Sequence, residues 1–343
     1  MNIYILSSHG TGMDVLDVVS QTVPITGVIG LSDRPASDSI SGYVYLEPYC
    51  RTRGIPFYPV ESYGLSREED RIRLLQLEID VLLVINWQRL IPDWLIQHCR
   101  YCAIGAHGSA YGITGGRGRS PQNWALLMGK KSFHISIFRI DAGIDSGAVI
   151  DSREFPLSET DDIATSYHKT FWLVAQMVAE NIRNGRIQAG HLTEQKDAPA
   201  YLPKRTPEDG EIDWSRSAHD VYNFVRALTR PYPGAFSRWG DSLVKIWHCR
   251  PFAVPGGKMK PPGTILAVFT SGDWLVQAGD MPVLVYDYDV GESPIMTGEC
   301  FSACSFKEQM KRIIARHVQD YPDLPVAEDI YRFAGLEPLT GSL

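Results

Sequence analysis

The sequence predicts an α/β domain built on a mostly parallel sheet, followed by a small β-rich domain and a helical tail. Three observations carry this: wholly apolar runs alternating with helical periodicity early in the chain, a Pro-rich interruption at 198–207, and short strand-like segments between Gly and Pro beyond it. The chain has 343 residues, 44% hydrophobic and 21% charged, a composition that excludes disordered, collagen-like and disulfide-scaffold proteins and leaves room for about two domains.

The elements follow in order. Asn2 to Leu6 is an apolar run that breaks at Ser7-Ser8-His9-Gly10-Thr11-Gly12, and a helical pattern runs from Met13 to Val19. Ile25 to Leu31 is β-rich, Arg67 to Leu77 has helical spacing, and Val81 to Ile85 is apolar on both faces, as a buried parallel strand should be. Ligands of such sheets bind beyond the carboxyl ends of the strands, so the loops after Leu6, Ile85 and Ile104 are the places to look. Asp162 to Asn184 reads as a long helix closing at Gly185, and Ala198 to Pro207 as a linker. Beyond it, Ser217 to Leu228 reads as a helix, and 242–248, 263–269, 274–278 and 283–288 as short strands. Phe306 to Val318 and Ala327 to Phe333 are amphipathic and should pack on the body or on a partner subunit, which makes a homodimer an expectation. The expected boundaries are a first domain at 1–197, the linker at 198–207, a second domain at 208–300 and an extension at 301–343.

The 33 Lys and Arg against 40 Asp and Glu give a net charge of −7, which argues against a surface built to neutralise a polynucleotide. No window approaches 18 apolar residues and the first residues lack a basic flank, so a cytoplasmic protein without a membrane span is expected. Cys99-x-x-Cys102 and Cys300-x-x-x-Cys304 have spacings that zinc could use, but neither lies in a Gly-rich knuckle, and six separate structural thiols with no metal is the reading.

Gly10-Thr11-Gly12-Met13-Asp14-Val15, with Asp33 about 20 residues on, partly fits a dinucleotide fingerprint, but Val15 stands where the third glycine belongs. A tight loop after a first strand explains it as well, and a phosphate or sugar contact from His9 and Gly10 suits either reading. More informative is Ile104-Gly105-Ala106-His107-Gly108-Ser109, followed by Gly116-Arg117-Gly118-Arg119-Ser120-Pro121-Gln122-Asn123-Trp124 and by Asp141-Ala142-Gly143-Ile144-Asp145-Ser146-Gly147. Gly-rich segments of this length inside a compact domain usually carry function.

These three blocks resemble the signature of the formyltransferases that use N10-formyltetrahydrofolate. Lys204 to Trp214 and Arg226-Ala227-x-x-Arg230-Pro231-Tyr232-Pro233-Gly234-Ala235-Phe236 resemble the start of the C-terminal domain in methionyl-tRNA formyltransferase and in sugar formyltransferases. The resemblance implies a Rossmann-like formyl transfer domain and an OB-like second domain. It implies that His107 polarises the developing oxyanion, and that Asp145 orients His107 and accepts the proton of the attacking amine. It also implies that the backbone at Arg89, Leu90 and Ile91 and the loop Asp141, Ala142, Gly143 and Ile144 hold the pterin. The family pattern begins Asn-x-His, and Gly105 stands at the Asn, so a main-chain N–H, a water, or Asn86 or Asn123 must supply the missing donor if the enzyme is active. Arg117 and Arg119, with Ser109 and Asn123 nearby, suit the diphosphate of a nucleotide-linked amino sugar, because guanidinium forks bind such oxygens bidentately. Three other readings stay open: a methionyl-tRNA formyltransferase using Arg216, Arg226, Arg230, Arg238, Lys245 and Arg250, a tailoring formyltransferase acting on a carrier-bound aminoacyl group with a protein partner, and an inactive folate-binding relative.

Overall fold

A computed structural model describes residues 1–33, 40, 42–254, 259–291 and 294–338. The first part of the chain runs β1 (Ile3–Leu6), α1 (Gly10–Val19), β2 (Gly27–Leu31), α2 (Glu47–Thr52), β3 (Phe57–Val60), α3 (Glu68–Leu75), β4 (Val81–Val84), α4 (Asp93–His98) and β5 (Cys102–Ser109). It continues through α5 (Gly112–Gly115), β6 (Arg117–Gly118), α6 (Pro121–Leu127), β7 (Ser132–Arg139), β8 (Val149–Pro156), α7 (Ile163–Arg183) and α8 (Arg186–Ala189). After β9 (Tyr201–Leu202) come α9 (Ala218–Leu228), β10 (Ala235–Trp239), β11 (Ser242–Pro251), β12 (Ile265–Val268), β13 (Trp274–Gln277), β14 (Pro282–Asp289), α10 (Phe306–Asp320) and α11 (Glu328–Ala334).

The chain forms two compact units, each discontinuous in sequence: 1–117, 134–155 and 168–198 in the first, and 118–133, 156–167 and 199–343 in the second. The first holds a sheet in the order β3-β2-β1-β4-β5-β7-β8. Strands β3 to β5 pair in parallel, and β7 runs antiparallel to β5, with His107 opposite Ser136. The all-apolar runs are the reason for the parallel part: every residue of β1, β2 and β4 is buried, which only a sheet covered on both faces allows. The chain reverses across the sheet between β1 and β4, so their carboxyl ends open the crevice where such sheets bind ligands.

The second unit holds an antiparallel sheet in the order β10-β11-β14-β13-β12, the small β-rich domain that the Gly and Pro breakers foretell. Helix α9 is held at its start by Ser217, whose side chain accepts from the Asp220 N–H. The apolar side of α10 (Phe306, Met310, Ile313 and Ile314) is buried within the chain, and Phe306 meets Phe333 of α11 edge to face. Among the described residues no helix is long and apolar enough to cross a membrane. All six cysteines are free, and burial pushes the thiols of Cys99 and Cys102 up to about 12 and about 11.

Candidate functional site

Strand β5 does not stop at Ile104 but runs on to Ser109, carrying Gly105 and His107 on one face by the two-residue period of a strand. The His107 imidazole is 9% exposed, and its Nδ1 lies 3.3 Å from Asp145 Oδ2. Its Nε2 is 2.8 Å from the carbonyl oxygen of Gly116, in the Gly-rich segment after β5. Both partners are oxygen atoms that accept, so each contact is made through a ring N–H.

Asp145 comes from the loop between β7 and β8, with a φ of +49°. Asp141 shapes that loop by accepting from the Gly143 N–H (3.0 Å) and the Ser146 hydroxyl (2.6 Å). Gly147 ends it, because a Cβ there would lie 1.7 Å from the Arg139 carbonyl oxygen. Asp141, Ala142, Gly143 and Ile144 are all exposed, as are Arg89 and Leu90, while Ile91 is buried. Leu90 is 64% exposed and Ile144 43%, two aliphatic side chains left open to solvent. The Arg89 guanidinium stands over the Tyr63 ring at 5.4 Å.

The remaining predicted residues have other partners. Ser109 is fully buried and closes a turn, donating to the Gly112 carbonyl (2.6 Å) and accepting from the Tyr111 N–H (2.9 Å). Arg117 is buried, and its NH2 donates to Gln195 Oε1 at 2.8 Å. Arg119 is exposed. Asn123 lies on α6, fully buried in the second unit, and donates to the Ala227 carbonyl; its neighbour Trp124 donates to the Pro203 carbonyl at 2.8 Å. His9 caps α1: its Nδ1 accepts from the Thr11 N–H at 3.2 Å and lies 2.9 Å from Thr11 Oγ1, which also accepts from Asn86 Nδ2 at 2.7 Å. Burial pulls the His9 pKa below its ordinary value, and the nearby Asp14 charge opposes that only in part. Gly10 begins the helix that His9 caps.

Gly105 is buried, and a Cβ there would lie 2.9 Å from Phe138 Cζ and 3.2 Å from Ile140 Cγ1. The space at the family asparagine is thus taken by an aromatic ring.

One residue that the sequence did not single out joins these parts. Gln195 Nε2 donates to the carbonyls of Asp145 and Gly147, each at 2.8 Å, and its Oε1 accepts from Thr114 Oγ1 at 3.2 Å as well as from Arg117. It lies in a polar stretch just before the predicted linker, with no motif around it; the only local structure is the pairing of Thr193 with Val149 next to β8. His107, Asp145, Gly116, Thr114, Arg117 and Gln195 all belong to the first unit.

Residues 20–180 match the model of the Formyl transferase family, and residues 204–304 match that of the Formyl transferase C-terminal domain. The chain belongs to the formyl transferase family. Within that family frame, His107 and Asp145 both fall inside the first matched segment, and Arg205 to Phe236 inside the second. Solved structures share the fold. HypX from Aquifex aeolicus, in complex with tetrahydrofolic acid, is 18% identical with a TM-score of 0.57; the match covers 95% of this chain and 58% of HypX, so the chain spans less than two thirds of that protein. The N-formyltransferase from Helicobacter canadensis, in complex with folinic acid and dTDP-3-aminofucose, is 13% identical at a TM-score of 0.56, over 83% of this chain and 98% of its own. The methionyl-tRNA formyltransferase from Clostridium thermocellum is 16% identical at 0.52, over 85% and 100%. At these identities the likeness speaks for the fold.

Proposed function

We propose that the chain is an N-formyltransferase that moves the formyl group of N10-formyltetrahydrofolate to the amine of a nucleotide-activated amino sugar. The observation that carries the reaction is the His107–Asp145 pair at the end of β5, inside the segment that matches the family. Transfer requires the amine nitrogen to bond to the formyl carbon and the bond from that carbon to N10 to break; the amine loses a proton and N10 gains one. Asp145 accepts the amine proton directly or through a water, and His107 returns a proton toward N10. To reach a formyl oxygen, Nε2 of His107 exchanges the Gly116 carbonyl for the donor. The open aliphatic side chains Leu90 and Ile144 and the exposed main chain around them suit a flat ring with polar edges.

The sugar acceptor rests on charge and on the complexes of structural relatives with dTDP and dTDP-3-aminofucose. Of the six basic residues a tRNA would need, four are committed locally, while Lys245 and Arg250 stand over the rings of Trp247 and Tyr286. Arg216 pairs with Asp220 (3.2 Å), Arg230 with Asp287 (3.1 Å) and Arg238 with Glu211 (3.5 Å), and Arg226 is buried against the carbonyls of Ser158 and Asp161. Among the residues expected to touch the sugar, Arg119, His9 and Gly10 remain in the proposal; Arg117 and Ser109 are bonded within the first unit and Asn123 within the second. Phe138 beside Gly105 favours a second reading, a folate-binding relative without turnover.

The deciding experiment measures tetrahydrofolate release from N10-formyltetrahydrofolate with a panel of nucleotide-linked amino sugars, with methionyl-tRNA and a no-acceptor control alongside. Release with one amino sugar supports the proposal, and release with methionyl-tRNA alone overturns the acceptor. Tight folate binding with no release on any amine supports the second reading.

A further inference from the structure

We infer that Gln195 is a positioning residue for His107, clamping together the two chain segments that supply the acceptors of its ring nitrogens. The inference rests on the proposed role of His107 and goes beyond it, because Gln195 itself lies in no motif and acts on the ring only through the motif residues it holds. Nδ1 of His107 faces Asp145 and Nε2 faces the Gly116 carbonyl, and these partners arrive on separate segments, one from the β7–β8 loop and one from the turn after β5. The Gln195 carboxamide joins the two. Its nitrogen gives both hydrogens to the first segment, at the carbonyls of Asp145 and Gly147. Its oxygen takes two donors from the second, the Thr114 hydroxyl and the Arg117 guanidinium.

The orientation of that amide is fixed by chemistry. A guanidinium only donates and a main-chain carbonyl only accepts, so reversing the amide would set donor against donor on one side and acceptor against acceptor on the other. Four bonds use the full capacity of one carboxamide. Glutamate can keep the Thr114 and Arg117 side but has no hydrogen for the two carbonyls, and asparagine is one methylene too short to span both. The bond to the Asp145 carbonyl bears most directly on His107, since it holds the backbone of the residue whose carboxylate meets the ring. Arg117 therefore serves the site through Gln195, its Nε buried and without a hydrogen-bond partner among the described residues.

The test records ring-nitrogen NMR signals of His107 in uniformly 15N-labelled protein, assigned by their loss in His107→Ala, for the wild type, Gln195→Ala and Gln195→Glu. Both Gln195 variants should move these signals toward those of an unconstrained imidazole. In parallel, kcat for formyl transfer should fall about 10²-fold while KM for the formyl donor stays within a few-fold, the mark of a misplaced group rather than lost binding. Unchanged His107 signals in Gln195→Ala overturn the inference, as does a raised KM with kcat intact. Should the alanine variant not fold, the glutamate variant decides by the same two readouts. If the wild type transfers formyl to no amine, the proposed function falls, while the ring signals still decide the role of Gln195.

Discussion

At the scale of single residues, His107 and Gly105 make opposite demands on an experiment. His107→Ala and Asp145→Asn remove the groups proposed to act at the reacting centre, so each should lower turnover by about 10²–10⁴-fold with the melting temperature little changed. Steady-state rates beside a thermal melt check this, and near-normal turnover in folded variants would discard the assigned roles. Gly105→Asn restores the family residue, yet its Cβ would press on Phe138 and Ile140. Overpacking of that kind costs about 1–3 kcal/mol, so the variant should be less stable in denaturant melts and gain no rate. Stability equal to the wild type would mean that Phe138 has a second rotamer to retreat to.

At the scale of elements, α1 carries a cap that is sensitive to acid. The His9 pKa is lowered in the fold, so below about 6.5 the unfolded chain takes up a proton that the native state resists, and stability falls as pH drops through that value. Protonation also removes the Nδ1 lone pair that accepts from the Thr11 N–H. The drop in melting temperature between about pH 7.5 and about pH 5.5 should therefore shrink in His9→Asn, which caps without titrating; an equal drop in both proteins would exclude His9 as its source. The parallel strands were legible because β1 and β4 are apolar at every position, and α9 because its apolar face repeats at helical spacing. The motif block at 117–124 was legible as sequence but misleading as placement: it looks like one Gly-rich loop, whereas Arg117 ends buried on Gln195 and Asn123 lies in the buried run of α6 that begins at Gln122. What turned it is packing of Trp124 and Asn123 on residues far along the chain, which no local pattern records. Gln195 was illegible for the same reason. Its four partners lie at 114, 117, 145 and 147, and a glutamine in a polar stretch carries no periodicity.

At the scale of the whole molecule, the net charge of −7 and the paired arginines predict weak hold on a polyanion. Filter binding of uncharged tRNA at about 0.15 M salt should show no saturation below the non-specific range of about 10⁻⁴–10⁻⁶ M; tighter, salt-steep binding would return the tRNA reading to first place. The interleaving of the two units also has a price in time. Residues 118–133 belong to the second unit, where Asn123 bonds to a carbonyl 104 positions later in the chain. At about 5–20 residues per second a ribosome needs about 5–20 s to deliver that partner. During that interval Trp124, Leu126 and Leu127, all buried in the finished protein, wait for α9, the helix that packs on α6. A fragment ending at residue 197 makes the wait permanent, and it should be recovered aggregated or bound to chaperones while the full chain is soluble. The apparent domain border at the Pro-rich linker is therefore a poor place to cut, and nascent chains stalled just past it should be the form that chaperones hold most avidly.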